Sequence, residues 1–218
     1  MEEKLLKVIC TISIFIFVMI KCKKNIDAAS YVKGFLDSTL KGEHEEYAEH
    51  CKVETSELEK YYNEYIDIIS MSWTTGLIIE DDIKEKFRQL AADILKSTKY
   101  NVKEARRVGD NYIVQVATEP LVLEISVEEA RKIENNAAVE YIANHKEINA
   151  IEFYTTLAEQ LYDYLAEMKE DVKFEAEKIV EVTIVLNSDN EYSISSAERK
   201  KLFRTIMKPF DGTKCVVR

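Results

Sequence analysis

The sequence predicts an α+β fold rich in helix, with two helical segments that are each followed by an antiparallel β-hairpin. Only 5 glycines and 2 prolines occur in 218 residues, which favours long helices over frequent turns. Several segments repeat apolar residues every three or four positions, and two others alternate apolar and polar residues around turn-forming residues. Because an isolated hairpin is marginally stable, we expect both hairpins to share one sheet packed against the helices.

The first half of the chain predicts four helices. The first is ended by Gly42, and a short second helix follows over 43–51. The pattern Ser56-Glu57-Leu58-Glu59 predicts a capping box for the third, and Asp81 or Asp82 starts the fourth. The expected core-facing residues are Ala28, Tyr31, Val32, Phe35, Leu36, Leu40, Leu58, Tyr62, Tyr65, Ile69, Trp73, Ile83, Phe87, Leu90, Ala91 and Ile94.

The first predicted hairpin turns at Gly109-Asp110-Asn111, after which Tyr112, Val114 and Val116 line one face of a strand. Pro120 ends this strand because proline cannot donate a ladder hydrogen bond. Residues 121–125 can then extend the sheet as an edge strand.

The second half repeats this order. We predict a helix over 126–143, a following helix capped by Asn144 and Glu147, and a hairpin turned by residues 187–190. The segment 179–186 is apolar at positions on both faces, as expected for a central strand. The expected core-facing residues of the two helices are Val127, Ala130, Ile133, Ala137, Tyr141, Ile148, Ile151, Tyr154, Leu157, Leu161 and Leu165.

A last helix over 196–207 closes the predicted fold. The domain organisation that follows is a signal peptide or N-terminal membrane anchor over 1–25 and an extracytoplasmic α+β domain over 26–218. We expect the domain to consist of two similar halves, at about 26–125 and 126–218.

The N-terminal segment predicts export. An uncharged, mostly apolar run from Val8 to Ile20 follows the short polar start MEEKLLK, although a helix of this length spans about 20 Å and a bilayer core about 30 Å. Cys22 is the candidate for lipid attachment, as in bacterial lipoproteins, but Lys21 stands where a small residue is expected. The alternative is an uncleaved anchor, for which the lysine excess after the run favours a cytoplasmic body.

The segment DAASYVKGFLDSTLKGEHEEY, residues 27–47, resembles the start of the mature chain in a family of Gram-positive bacterial predicted lipoproteins of uncharacterised function. Later residues resemble the same family, in the order Glu119-Pro120-Leu121, Tyr192 to Ser195 and the closing helix. The resemblance implies a protein anchored at the cell membrane and facing outward, with lipid on Cys22. It supplies no catalytic residue.

Recognisable catalytic, cofactor and metal motifs are not found in the sequence. His44 and His50 are six positions apart, which separates them by about 120° around a helix and prevents them from gripping one ion. The net charge of −10 argues against nucleic acid as a partner. Cys51 and Cys215 either form a disulfide or leave Cys51 as a small core residue.

We therefore predict a non-enzymatic binding or interaction module of the cell envelope, with the membrane and another envelope protein or a glycan as partners. Two sets of tyrosines could form a contact surface, although the core or its rim is the more ordinary place for them: Tyr61, Tyr62, Tyr65, and Tyr154, Tyr162, Tyr164. The alternative is a small enzyme or ligand carrier with a pocket between a curved sheet and helices, as in cystatin-like or nuclear-transport-factor-like cones. A pocket around Glu181 or Glu104 would favour that enzyme.

Overall fold

The computed structural model describes residues 22–23, 26–123, 125–145, 147 and 149–208, which form the predicted α+β fold. The helices in this part of the chain are α1 (Ala28–Leu36), α2 (Glu45–Cys51), α3 (Thr55–Trp73), α4 (Asp81–Lys96), α5 (Val127–Asn144), α6 (Ala150–Glu170) and α7 (Ser196–Ile206), and a π-helical turn (Asp37–Lys41) continues α1. The strands are β1 (Cys22–Lys23), β2 (Lys99–Val108), β3 (Asn111–Glu119), β4 (Leu121–Val122), β5 (Lys173–Phe174), β6 (Lys178–Leu186) and β7 (Glu191–Ile194). The predicted signal or anchor lies outside the described residues, except for Cys22 and Lys23.

The two hairpins share one sheet, as predicted. Its strand order is β1-β7-β6-β3-β2, and every neighbouring pair is antiparallel. The hairpins meet where β3 pairs with β6, with Val114 opposite Val182 and Val116 opposite Val180. These four valines lie on the buried face, which α1 and α7 contact.

Strand β6 is the central strand of the sheet, as predicted, but only one of its faces is buried. Val180, Val182 and Ile184 are buried, whereas Ile179 on the opposite face is 61% exposed. Helices cover the first face, and the second face carries polar neighbours such as Gln115 opposite Glu181. The sheet is therefore one-sided, like many antiparallel sheets.

The first helix follows its sequence pattern closely. Asp27 caps α1 by accepting a hydrogen bond from the Ala29 amide at 3.1 Å. The π-helical turn ends at Gly42, whose backbone is left-handed with φ of 72°. A Cβ at this position would lie 2.9 Å from Cε1 of Tyr62, so both the backbone and the neighbouring ring require glycine.

Three local predictions were wrong. Helix α3 begins at Thr55, which places Ser56 inside the first turn, and its N-cap Glu54 makes no side-chain capping hydrogen bond. Helix α6 is capped by Asn149 and not by Asn144, which is the last residue of α5. Residues 121–122 do not extend the main sheet, because β4 pairs with β5 in a separate two-stranded sheet.

Most residues predicted to face the core are buried in the described part of the chain. Five are partly buried, namely Tyr62, Ile69, Tyr154, Leu157 and Leu161. The two exposed exceptions are Val127 and Ile151, which are 40% and 52% exposed at the first turns of α5 and α6. Ile148 lies outside the described residues. First-turn positions project beyond the packed part of a helix pair, which explains both exceptions.

The sheet edges are interrupted by specific contacts. Strand β7 pairs only with residues 184–186 of β6, and on the uncovered stretch the Thr183 amide donates a hydrogen bond to Oε2 of Glu198 at 3.1 Å. On the other side, the β2–β3 ladder shifts register between Val102 and Ala105, which indicates a β-bulge.

Candidate functional site

An open groove lies where the small sheet meets the start of α5 and the end of α6. Its volume is about 710 Å³, within the range of small-molecule sites. The groove is lined by Val122, Ile125, Ser126, Val127, Glu129, Tyr164, Glu167, Met168, Asp171 and Lys173. We call it the α5–α6 groove.

Local sequence determines how the walls of the groove are placed. Pro120 ends β3, and its carbonyl accepts a hydrogen bond from the Glu175 amide, which holds β4 beside β5. Ser126 and Glu129 then form a capping box that starts α5: the Glu129 amide donates to the Ser126 hydroxyl, and the Ser126 amide donates to the Glu129 carboxylate.

The electrostatic character of the groove is acidic. Hydrogen bonds from the Ser126 side chain and backbone and from the Tyr164 hydroxyl lower the pKa of Glu129, so this carboxylate is charged at neutral pH. Among the lining residues that the structure describes, Glu167 and Asp171 add two more carboxylates, and Lys173 contributes the one ammonium group. With the apolar walls, this arrangement fits a ligand that carries both an apolar part and a positive charge.

A second concentration of polar groups lies at the π-helical turn. The buried Asp37 carboxylate accepts hydrogen bonds from Nζ of Lys33 at 2.7 Å and from the Tyr100 hydroxyl at 2.5 Å, and Nζ of Lys41 is 3.8 Å away. Lys41 also lies over the Tyr100 ring, 4.7 Å from its centroid. We call these four residues the Asp37 cluster. It links α1 to β2 and is a structural contact, since its carboxylate is already fully engaged.

Histidines near this cluster do not form a metal site. His44 is buried with Nδ1 hydrogen-bonded to the Ser38 hydroxyl at 2.9 Å, and burial lowers the pKa of its imidazole. His50 instead donates from Nδ1 to the Glu46 carbonyl at 2.6 Å. Among the residues that the structure describes, no group of three or more His, Cys, Asp or Glu side chains could hold a metal ion.

The predicted tyrosine sets divide between core and surface. Tyr65 is buried, with its ring 6.0 Å from Phe203, and Tyr162 packs edge-on against Phe87. The Tyr61 hydroxyl donates to Glu57 on the surface of α3, and Tyr154 is half-buried beside Phe153. Of the six tyrosines, only Tyr164 lines the α5–α6 groove.

Neither acid named for an enzymatic role lies in the groove. Glu181 is exposed on the open face of the sheet, where it accepts a hydrogen bond from Gln115 at 3.1 Å and lies 3.7 Å from Arg106. Glu104 is exposed on β2. The groove also lies beside the small sheet, whereas the predicted pocket was placed between the large sheet and the helices.

Two of the four cysteines, Cys22 and Cys51, lie in the part of the chain that the structure describes. Cys22 is the first residue of β1, and its backbone lies opposite that of Tyr192 in β7. Cys51 is buried at the end of α2 and is disulfide-bonded. Cys215, the partner considered for it, lies outside the described residues.

The sequence indicated Tyr164 as a possible contact residue but did not predict the groove or its acidic residues. The Ser126-x-x-Glu129 spacing signals a capping box and could have identified one wall of the groove. Tyr164 and Glu167 follow the helical period of α6 without any local sign that they face a concavity. Asp37 gave a weak signal, as an acidic residue next to the apolar stripe of α1.

Four tyrosines, three buried and one partly buried, give a prediction about alkaline stability. Burial is the largest cause that raises the pKa of Tyr31, Tyr47, Tyr65 and Tyr100, while in the unfolded chain they ionise near pH 10. Above this pH the unfolded state binds fewer protons than the folded state, so stability falls as pH rises. We expect the free energy of unfolding to drop by more than about 1 kcal/mol per pH unit above pH 10, measured by urea titration.

Ionisation of the buried tyrosines can be compared directly with unfolding. Tyrosinate absorbance of the buried rings should rise together with the loss of the circular dichroism signal of the folded state. Ionisation of all twelve tyrosines in a chain that keeps its native signal would contradict the alkaline prediction.

None of the helices in the described part of the chain is both long enough and apolar enough to cross a membrane. The apolar run Val8 to Ile20 lies outside that part.

Comparisons with known proteins connect the fold to one solved structure. No protein-family model and no curated protein matches the chain. The fold is similar to that of a putative lipoprotein (ycdA) from Bacillus subtilis, with a TM-score of 0.56 and 16% sequence identity. The match covers 84% of this chain and 56% of that chain, so this chain spans little more than half of its neighbour. At this identity the likeness establishes the fold, and it agrees with the predicted resemblance at that level.

Proposed function

We propose that this chain is a cell-envelope protein, attached to the membrane through its N-terminal segment, whose extracytoplasmic domain is a non-enzymatic binding module. The α5–α6 groove is the observation that carries the binding role. The lipoprotein neighbour supports an envelope location, as does the apolar run before Lys21. The Cys51 disulfide adds support, because disulfides persist in oxidising compartments outside the cytoplasm.

Two modes of membrane attachment fit this proposal. Lipid attachment at Cys22 would remove the preceding segment, whereas an uncleaved segment would hold the domain through the apolar run itself. In both modes we place the groove outside the cell, where the partner is an envelope protein, a glycan or a peptide. For the uncleaved segment this orientation rests on the Cys51 disulfide, which we weigh above the lysine excess after the apolar run. A small enzyme or ligand carrier is the second candidate, because the groove is concave and has a volume of about 710 Å³.

The extracytoplasmic location is tested by labelling intact cells of the native host with a membrane-impermeant, amine-reactive biotin reagent. Lysines on the surface of the domain, such as Lys60, Lys86 and Lys103, are exposed and would react. We expect the chain to be biotinylated in intact cells while an abundant cytosolic protein stays unlabelled. Labelling that occurs only after lysis would refute the envelope location.

The groove is tested with two matched peptides, acetyl-Leu-Arg-Leu-amide and acetyl-Leu-Glu-Leu-amide, titrated into the full chain held in lipid nanodiscs. The three carboxylates of the groove should favour the arginine peptide by about tenfold or more in dissociation constant, less at high salt. Replacing Glu167→Lys should remove most of this preference, since it exchanges a negative for a positive charge in the lining.

Glu159→Lys is the matched control for this experiment. Glu159 lies on the same helix, is exposed, and does not line the groove. Equal binding of the two peptides, or equal effects of the two variants, would show that the groove does not select a cationic ligand.

A further inference from the structure

Cys51 is a buried cysteine whose thiol is oxidised to a disulfide. It is the last residue of α2, is 7% exposed, and is disulfide-bonded. The sequence offers three possible partners, namely Cys10, Cys22 and Cys215. Which of them is used decides how the N-terminal segment relates to the domain.

The backbone places Cys22 beside the helix that ends at Cys51. Strand β1 pairs with β7 at the edge of the main sheet, with Cys22 opposite Tyr192 and Lys23 opposite Glu191. The same two-residue strand also contacts α2. A disulfide requires the Cα atoms of its cysteines to lie within about 7 Å, so a strand and a helix that touch can satisfy this requirement.

The position of β1 in the sheet also needs an explanation. Two residues form few ladder hydrogen bonds, and an isolated edge strand of this length would pair weakly. Cys22 and Lys23 nevertheless pair with β7 before α1 begins at Ala28. A covalent link from this strand to α2 accounts for a two-residue strand that pairs in register.

We propose that Cys22 is the disulfide partner of Cys51. The bond forms when each thiol loses its proton and the pair transfers two electrons to an extracytoplasmic thiol–disulfide oxidoreductase, whose own disulfide is reduced to a dithiol. This step rests on the extracytoplasmic location of the proposed function. It ties the N-terminal edge of the sheet to α2.

This pairing selects between the two modes of membrane attachment. A cysteine engaged in a disulfide has no thiol left to form a thioether with a lipid. With Cys22 used in this way, the apolar run from Val8 to Ile20 remains the attachment, and Lys21 before Cys22 is no longer anomalous. The anchor then enters the domain directly at the sheet edge, with no long tether.

The test is peptide mapping of the full chain, purified from membranes of the native host after alkylation of free thiols and digested with trypsin without reductant. Each possible partner gives a different peptide: residues 8–21 for Cys10, 22–23 for Cys22 and 215–218 for Cys215. We expect the peptide 42–52, which contains Cys51, to be joined to the peptide 22–23. Intact mass should show no lipid on Cys22.

Two variants make the outcome decisive. In Cys22→Ser, Cys51 should become open to alkylation under denaturing conditions, whereas in Cys215→Ser it should stay protected. A Cys51 peptide joined to 8–21 or 215–218, or a lipid-modified Cys22, would overturn the proposal while leaving the envelope location intact. Free thiols at both positions, together with biotinylation only after lysis, would overturn the location as well.

Discussion

Replacing Asp37 with alanine is expected to lower the free energy of unfolding by about 3 kcal/mol, because the variant breaks a buried, charge-assisted network. Asp37 is 5% exposed and joins Lys33 on its own helix to Tyr100 on β2. Without the carboxylate, the Tyr100 hydroxyl loses its acceptor in a partly buried place. Lys33 is half-exposed and recovers most of its solvation, which limits the loss.

Urea denaturation followed by circular dichroism measures this effect. Asp163→Ala is the matched control, since Asp163 is an exposed acid on α6, and it should change stability by less than about 0.5 kcal/mol. Tyr100→Phe should cost about 1.5 to 3 kcal/mol alone and clearly less in the Asp37→Ala background. Fully additive effects of the two substitutions would show that the hydrogen bond between them contributes nothing.

Replacing Cys51 with serine is expected to lower the free energy of unfolding by roughly 3 to 4 kcal/mol, or about 10 °C in melting temperature. With Cys22 as its partner, the disulfide closes a loop of roughly 30 residues, and losing it restores conformational freedom to the unfolded chain. Serine also leaves a hydroxyl at a position that is 7% exposed, which adds to the cost.

The measurement is the urea midpoint of the full chain with and without a thiol reductant. The reductant should lower the midpoint of the wild-type protein most of the way to that of Cys51→Ser and should not change the midpoint of the variant. Cys215→Ser should behave like the wild type. An unchanged wild-type midpoint under reduction would mean that the disulfide does not hold the folded domain together.

The sequence predicted the elements of the fold better than their ends. Helix α4 begins at Asp81, as predicted, because its apolar residues follow the helical period over the whole segment. The Ser56 capping box was wrong because a left-handed residue, Lys52, follows α2 and the chain re-enters a helix at Thr55. The N-cap is therefore Glu54, two residues before Ser56. A short capping motif determines where a helix begins only if the preceding connection is long enough to place the motif at the helix start.

Only some of the pairings between strands distant in the chain could be predicted from the sequence. The meeting of β3 and β6 follows from the instability of a lone hairpin, which is a general physical argument. The pairing of β4 with β5 could not be predicted. Pro120 indicates that β3 must end, but it does not indicate which strand the following residues pair with. The same limit applies to the α5–α6 groove, where Glu129 and Tyr164 meet only because two helices pack antiparallel.

The hydrogen bond between the Thr183 amide and Glu198 has a consequence for the solution behaviour of the protein. Unpaired backbone amides on a strand edge can recruit strands from other molecules, which is how many proteins begin to aggregate. On β6, the Thr183 amide is such a group, and it donates its hydrogen bond to the side chain of Glu198 in α7. On the opposite edge, the bulge in β2 and exposed charges at Lys103 and Arg106 interrupt regular pairing. Detachment of α7 would therefore leave this amide of β6 unpaired and make the domain a template for self-association, so the docking of this last helix protects the protein from polymerisation.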